Sequence, residues 1–157
     1  GGREYDIDTT NAKQVLTALD KHYPGAKSYE VAGFFYWQGE WDAGTPGLAA
    51  RYETNLVQLI KSLRKDFNAP NAKFVCATMG EAVKGKTGNN TAKIMEAHLA
   101  VSDPAKHPEF KGTVATVYTH DMAQGGSGNG HYGGNAEVYM DVGEAMGQAM
   151  IELLKNK

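Results

Sequence analysis

The order of elements read from the chain predicts an α/β fold built on a parallel sheet, and two observations carry it. Three short runs are apolar at nearly every position rather than alternating, as in strands covered by helices on both faces. Between and around them lie segments whose apolar residues recur every three or four positions, the spacing of amphipathic helices. Strands alternating with helices of this length join through right-handed crossovers and pair in parallel.

Asp8, Thr9 or Thr10 caps a first helix with Val15, Leu16, Leu19 and Tyr23 on its inner face, and Pro24-Gly25 stops it. The preceding Gly1 to Ile7 reads as the tail of an earlier element. Val31 to Trp37 is the clearest strand, expected to be buried on both faces. Thr45-Pro46 is an N-cap followed by an N1 proline, and Leu48, Tyr52, Leu56, Ile60, Leu63 and Phe67 continue a helix to Pro70. Lys73 to Met79 is a second strand, Thr91 to Val101 a helix with Ile94, Met95 and Leu99 inward, and Thr113 to Tyr118 a third strand. The last helix runs from Asn135 to about Leu154, with Val138, Tyr139, Val142, Met146, Met150 and Leu153 inward and Gly143 and Gly147 leaving room for close packing.

Composition narrows the function classes. The 157 residues are 41% hydrophobic and 22% charged with a formal charge of −2, and no repeat, linker or composition break divides them, so residues 1–157 read as one α/β domain. No run of like charges marks a nucleic-acid or anionic-lipid partner, and no apolar stretch approaches membrane-spanning length. Cys76, the one cysteine, lies in Phe74-Val75-Cys76-Ala77 and reads as a small buried hydrophobe.

Ligands of open parallel sheets bind beyond the carboxyl ends of the strands. After the first strand, Gln38-Gly39-Glu40-Trp41-Asp42 sets an amide, two carboxylates and an indole together; either they cap the next helix or they form a site. Gln38 favours the site, because a polar side chain leaving a buried strand is costly unless hydrogen-bonded or used. After the second, Gly80 to Thr87 matches the phosphate-loop pattern G-x-x-x-x-G-K-[ST], yet Gly88-Asn89-Asn90 follow where a helix should open. After the third come His120, a weaker second candidate, and the lone acid Asp121, then a glycine-rich stretch delivering His131 as a candidate general base ahead of the last helix. His22, His98 and His107 read as surface or core-edge residues. No H-E-x-x-H, paired-cysteine or calcium-loop spacing announces a metal site.

Phe34 to Ala43, the helical Arg51-Tyr52-Glu53-Thr54-Asn55-Leu56 and the late His131-Tyr132-Gly133-Gly134-Asn135-Ala136-Glu137 together resemble the sialate O-acetylesterase and acetylxylan esterase branch of the SGNH, or GDSL-like, hydrolases. The resemblance implies a flavodoxin-like three-layer α/β/α fold with a parallel sheet. It also implies removal of acyl groups, often acetyl, from carbohydrates without metal or organic cofactor, and a secreted or periplasmic setting. It makes His131 the general base, Gln38 and Gly39 the oxyanion donors, and Glu40 the acid that orders the site or orients the histidine. Trp37, Trp41, Asp42 and Tyr132 become substrate contacts. The family's Gly-rich nucleophile turn has no counterpart here: Ser28, Ser62 and Ser102 follow no strand in such a turn, and Ser127 lies within the glycine-rich stretch. Gly128 occupies the position where many members carry the orienting Asp, which leaves Glu40, Asp121, a backbone carbonyl or nothing to orient the histidine. With three strands found where such folds commonly carry five, the fold is expected to be incomplete at its N-terminus. The expected partners are an acylated carbohydrate and a missing N-terminal segment or partner chain that supplies the serine. The alternatives are a non-catalytic glycan-binding or interaction module of the same fold and, third, a nucleotide-binding phosphate loop.

Overall fold

A computed structural model describes residues 2–45, 47–123 and 130–155. In chain order the helices and strands are α1 (Arg3–Thr17), α2 (Leu19–His22), β1 (Gly33–Trp37), α3 (Glu40–Gly44), α4 (Tyr52–Asp66), β2 (Lys73–Ala77), α5 (Asn90–Val101), β3 (Val114–Val117), the single turn α6 (Gly130–Gly133) and α7 (Ala136–Lys155). The strands form a parallel sheet in the order β1-β2-β3, with Phe35 opposite Val75 and Val75 opposite Ala115.

Alternation along the strands splits the core into two layers. Phe34, Tyr36, Phe74, Cys76 and Val114 face α4 and α5, meeting Tyr52, Leu56, Ile60, Ile94, Met95 and Val101. On the opposite face Trp37, Val75, Ala77, Ala115 and Val117 meet Val138, Val142, Met146, Met150 and Leu153 of α7. Helices thus flank both faces of the sheet, the mixed α/β layering expected from the sequence. β2 is buried along almost its whole length, and each fully buried Val, Ile or Phe stabilises the fold by about 1.5–3 kcal/mol. Burial also pushes the Cys76 thiol up to about 12, so it packs as an inert hydrophobe.

Five expectations are corrected. β1 is not covered on both faces: it is the edge of the described sheet, and Phe35 remains 58% exposed because α7 lies mainly over β2 and β3. The first helix begins at Arg3, so residues 3–7 of the expected tail are helical; Glu4 and Asp6 in its first turn favour the positive end of the helix dipole. It also breaks at Ala18 before α2. The helix expected from Thr45-Pro46 starts only at Tyr52, after a 3-10 turn over Ala49–Arg51, because Gly47 takes a left-handed φ of +82° that interrupts a right-handed first turn. Gly143 and Gly147 do not admit a packed neighbour, since a Cβ built on either meets nothing within 4 Å.

Candidate functional site

Gln38, the first residue beyond β1, is held at four points. Its Oε1 accepts from the Tyr36 hydroxyl at 2.7 Å and lies 3.2 Å from the Tyr52 hydroxyl, while its Nε2 donates to Asp42 Oδ2 at 2.9 Å. Its main-chain oxygen accepts from the Tyr52 hydroxyl at 2.7 Å. These contacts settle which end of the amide is oxygen, and they leave one Nε2 hydrogen for another acceptor. α3 makes the Asp42 contact possible, because its helical turn returns residue 42 toward residue 38.

Behind Gln38 lies a residue that the sequence reading placed at the surface or core edge. His98 is fully buried, with Nε2 3.1 Å from the Tyr52 hydroxyl. Since Tyr52 gives its only proton to Gln38, His98 donates Nε2–H to Tyr52 and leaves Nδ1 buried without a partner among the described residues. Burial pushes its pKa down to about 4, so the ring is neutral at physiological pH, and burial likewise raises the Tyr52 and Tyr36 phenols. The positions of Ile94, Met95, His98 and Val101, three or four apart on one helix face, were the available signal that residue 98 points inward.

Gly39 is buried and its N–H donates to Glu40 Oε2 at 3.1 Å, so the main-chain donor and the acid expected at the site are already paired with each other. A Cβ on Gly39 would lie 2.8 Å from Met79 Sδ and 3.0 Å from Ile94 Cγ2, which explains the glycine by close packing.

The last loop reaches this edge through Tyr132. Its ring stacks on Trp37 with centroids 5.2 Å apart, and its hydroxyl accepts from the Gly80 N–H at 3.1 Å. Burial pushes the phenol up to about 12, with the Glu40 and Glu81 carboxylates adding to the rise. Trp37 also donates Nε1–H to the Thr78 oxygen at 3.1 Å, so both rings brace the ends of β1 and β2. His131 and Tyr132 have φ of 50° and 61°, left-handed values that non-glycine residues rarely adopt and that must be held by the surroundings. Two contacts hold them: the Tyr132 packing, and the Tyr139 hydroxyl donating to the His131 oxygen at 2.9 Å. The His131 side chain is exposed, and among the described residues its imidazole has no hydrogen-bond partner. Trp41 is 76% exposed on α3. Gln38 and Asp42 are thus joined, Gly39 and Glu40 are joined, Trp37 and Tyr132 are joined, and no hydrogen bond links His131 to Glu40 or Asp121 among the described residues. Ser127 and Gly128 lie outside the described residues.

The phosphate-loop pattern lacks its structural context. Lys86 and Thr87 lie in an exposed loop, and α5 opens later, capped by Asn89 Oδ1 accepting from the Ala92 N–H at 2.8 Å. Among the described residues, no three His, Cys, Asp or Glu side chains group as a metal site, and no helix is long and apolar enough to cross a membrane.

Comparison with known proteins supplies the family. A solved structure of a protein from Arabidopsis thaliana superposes with a TM-score of 0.63 at 20% identity over 96% of this chain, a likeness of fold. The chain spans 53% of that protein's length. No curated protein matches the sequence. The profile of the family described as carbohydrate esterase, sialic acid-specific acetylesterase, matches residues 8–152, which takes in the Gln38 block, all three strands and His131. By that match over most of its length, the chain belongs to the sialic acid-specific acetylesterase family of carbohydrate esterases.

Proposed function

We propose that the carboxyl edge of this sheet is the base-and-oxyanion half of a carbohydrate O-acyl esterase site, acting on O-acetyl groups with a serine nucleophile that lies outside these 157 residues. The observation that carries the reading is the convergence at one sheet edge of the Gln38-Gly39-Glu40 block and the His131 turn, through the Trp37–Tyr132 stack. In this reading His131 takes the serine proton and returns it to the sugar hydroxyl that leaves. Gln38 offers its remaining Nε2–H to the oxyanion, with its amide already oriented by Tyr36, Tyr52 and Asp42. Gly39 N–H joins it when the Glu40 carboxylate turns away, toward the imidazole it would then orient. Trp41, exposed beside this block, offers an indole face to a sugar ring. No described serine competes for the nucleophile's role: Ser62 lies within α4, Ser102 caps the C-terminus of α5, and Ser28 precedes β1.

Hydrolysis of 4-nitrophenyl acetate by the natural full-length product tests this. His131→Ala should abolish turnover and Gln38→Ala should lower kcat about 10²- to 10³-fold; unchanged turnover in His131→Ala would remove the histidine from the mechanism. A second reading, a glycan-binding module without catalysis, is favoured by one observation: Gly39 N–H and one Gln38 N–H are already satisfied within the chain. Sugar binding by a full-length product that never hydrolyses the ester would establish that alternative.

A further inference from the structure

Two histidine-bearing loops meet on the backbone of one buried residue. Gly80 N–H donates to the Tyr132 hydroxyl at 3.1 Å, and Gly80 O is 2.6 Å from His120 Nδ1. A Cβ on Gly80 would sit 2.4 Å from Ala123 Cβ and 2.5 Å from Tyr132 Cε1, so both loops lie directly against it. A carbonyl oxygen only accepts, so Nδ1 of His120 carries the proton in the neutral ring and Nε2 is left with a bare lone pair. Nε2 has no partner among the described residues, and the side chain is only partly buried. Two other histidines are differently engaged: His98 is enclosed in the core, and His107 lies against Glu53 and Glu109.

The surroundings say what such an acceptor would take. The Tyr118 ring stands beside the imidazole at 6.2 Å, its hydroxyl held by the Lys84 N–H at 3.1 Å and its face covered by the Lys84 ammonium at 4.2 Å. An acceptor lacking a donor asks for a ligand that brings an O–H or N–H group. We propose that His120 contacts the ligand at this edge, with Nε2 accepting a hydrogen bond from a hydroxyl of a bound sugar; this rests on the esterase reading for placing a carbohydrate there, whereas the tautomer follows from the Gly80 contact alone.

The test is long-range ¹H–¹⁵N correlation on the histidine-labelled full-length protein at pH 8, titrated separately with methyl β-D-xylopyranoside and N-acetylneuraminic acid. The expected result is a His120 ring protonated at Nδ1 whose Nε2 resonance moves with at least one sugar. A ring protonated at Nε2, or a resonance that neither sugar moves, overturns the proposal. His120→Asn keeps a donor for Gly80 O but loses the Nε2 acceptor, and should weaken sugar binding about five- to tenfold without loss of the fold; wild-type affinity in a folded His120→Asn also overturns it. If that variant does not fold, the wild-type titration decides. Ester hydrolysis separates the two readings: a moving Nε2 in a protein without esterase activity defeats only the esterase reading, and an unmoved Nε2 in an active esterase defeats only this one.

Discussion

Tyr52 has one hydroxyl proton and a crowd of polar neighbours, and that arithmetic organises the site from behind. Its proton goes to Gln38 and its oxygen accepts from His98, so Tyr52→Phe removes a hydrogen-bond partner from both. The expected loss is about 1–3 kcal/mol of stability, read from the urea midpoint. His98 adds a pH dependence with a definite sign. Its pKa is 6.5 unfolded and about 4 folded, so the unfolded chain binds more protons in that interval. The contribution of neutral His98 is complete above pH 6.5 and fades as pH falls toward 4, by about 3 kcal/mol in all. Urea midpoints across this interval should slope in the wild type and flatten in His98→Gln; equal slopes would remove His98 as the cause. Gly80→Ala forces a methyl into Ala123 and Tyr132, at an expected cost of about 1–3 kcal/mol in the same measurement. None of these partnerships was legible as such in the sequence. Residues 38, 52 and 98 are far apart along the chain, and only the crossover from β1 through α4 and β2 to α5 brings them together.

At the scale of elements, the strands and the α4, α5 and α7 helices were legible because burial imposes a period on the sequence. The misread boundaries share a local cause, backbone geometry that periodicity does not record. Gly47 with its left-handed φ delays α4, and the break at Ala18 divides the first helix although its apolar spacing runs on to Tyr23. α7 offers the clearest test. Gly143 is exposed within a long helix and a Cβ there meets nothing, so only its backbone freedom in the unfolded chain matters. Gly143→Ala should stabilise the protein by about 0.5–1 kcal/mol, raising the thermal midpoint; a drop would mean that the face is covered.

Over the whole molecule, stability is graded from the sheet centre outward. β2 is paired on both sides and buried under helices on both faces, so its amides should exchange with solvent only through global unfolding. α1 buries only Thr9 and is tied down by the Tyr5 hydroxyl on Asp66 at 2.6 Å and the Lys13 ammonium over the Phe67 ring. Its amides should exchange at least tenfold faster than those of β2 in native-state hydrogen exchange, and equal protection would contradict this grading. β1 sits between these extremes, paired on one side and with Phe35 exposed.

The sequence by itself determined the fold class, the three strands and the residues of the Gln38-Gly39-Glu40 block. Secondary structure follows from local apolar periodicity, and a resemblance follows from residue identity, both of which are written along the chain. Only the tertiary structure decided that Trp37 and Tyr132 brace one another and that Gly39 pairs with Glu40. Likewise it alone placed His98 behind Gln38 and turned His120 so that one nitrogen is spent on Gly80. The physical reason is that a hydrogen bond's partner is set by position in space: parallel crossovers lay the strand ends side by side, and burial then obliges each polar group there to find a partner.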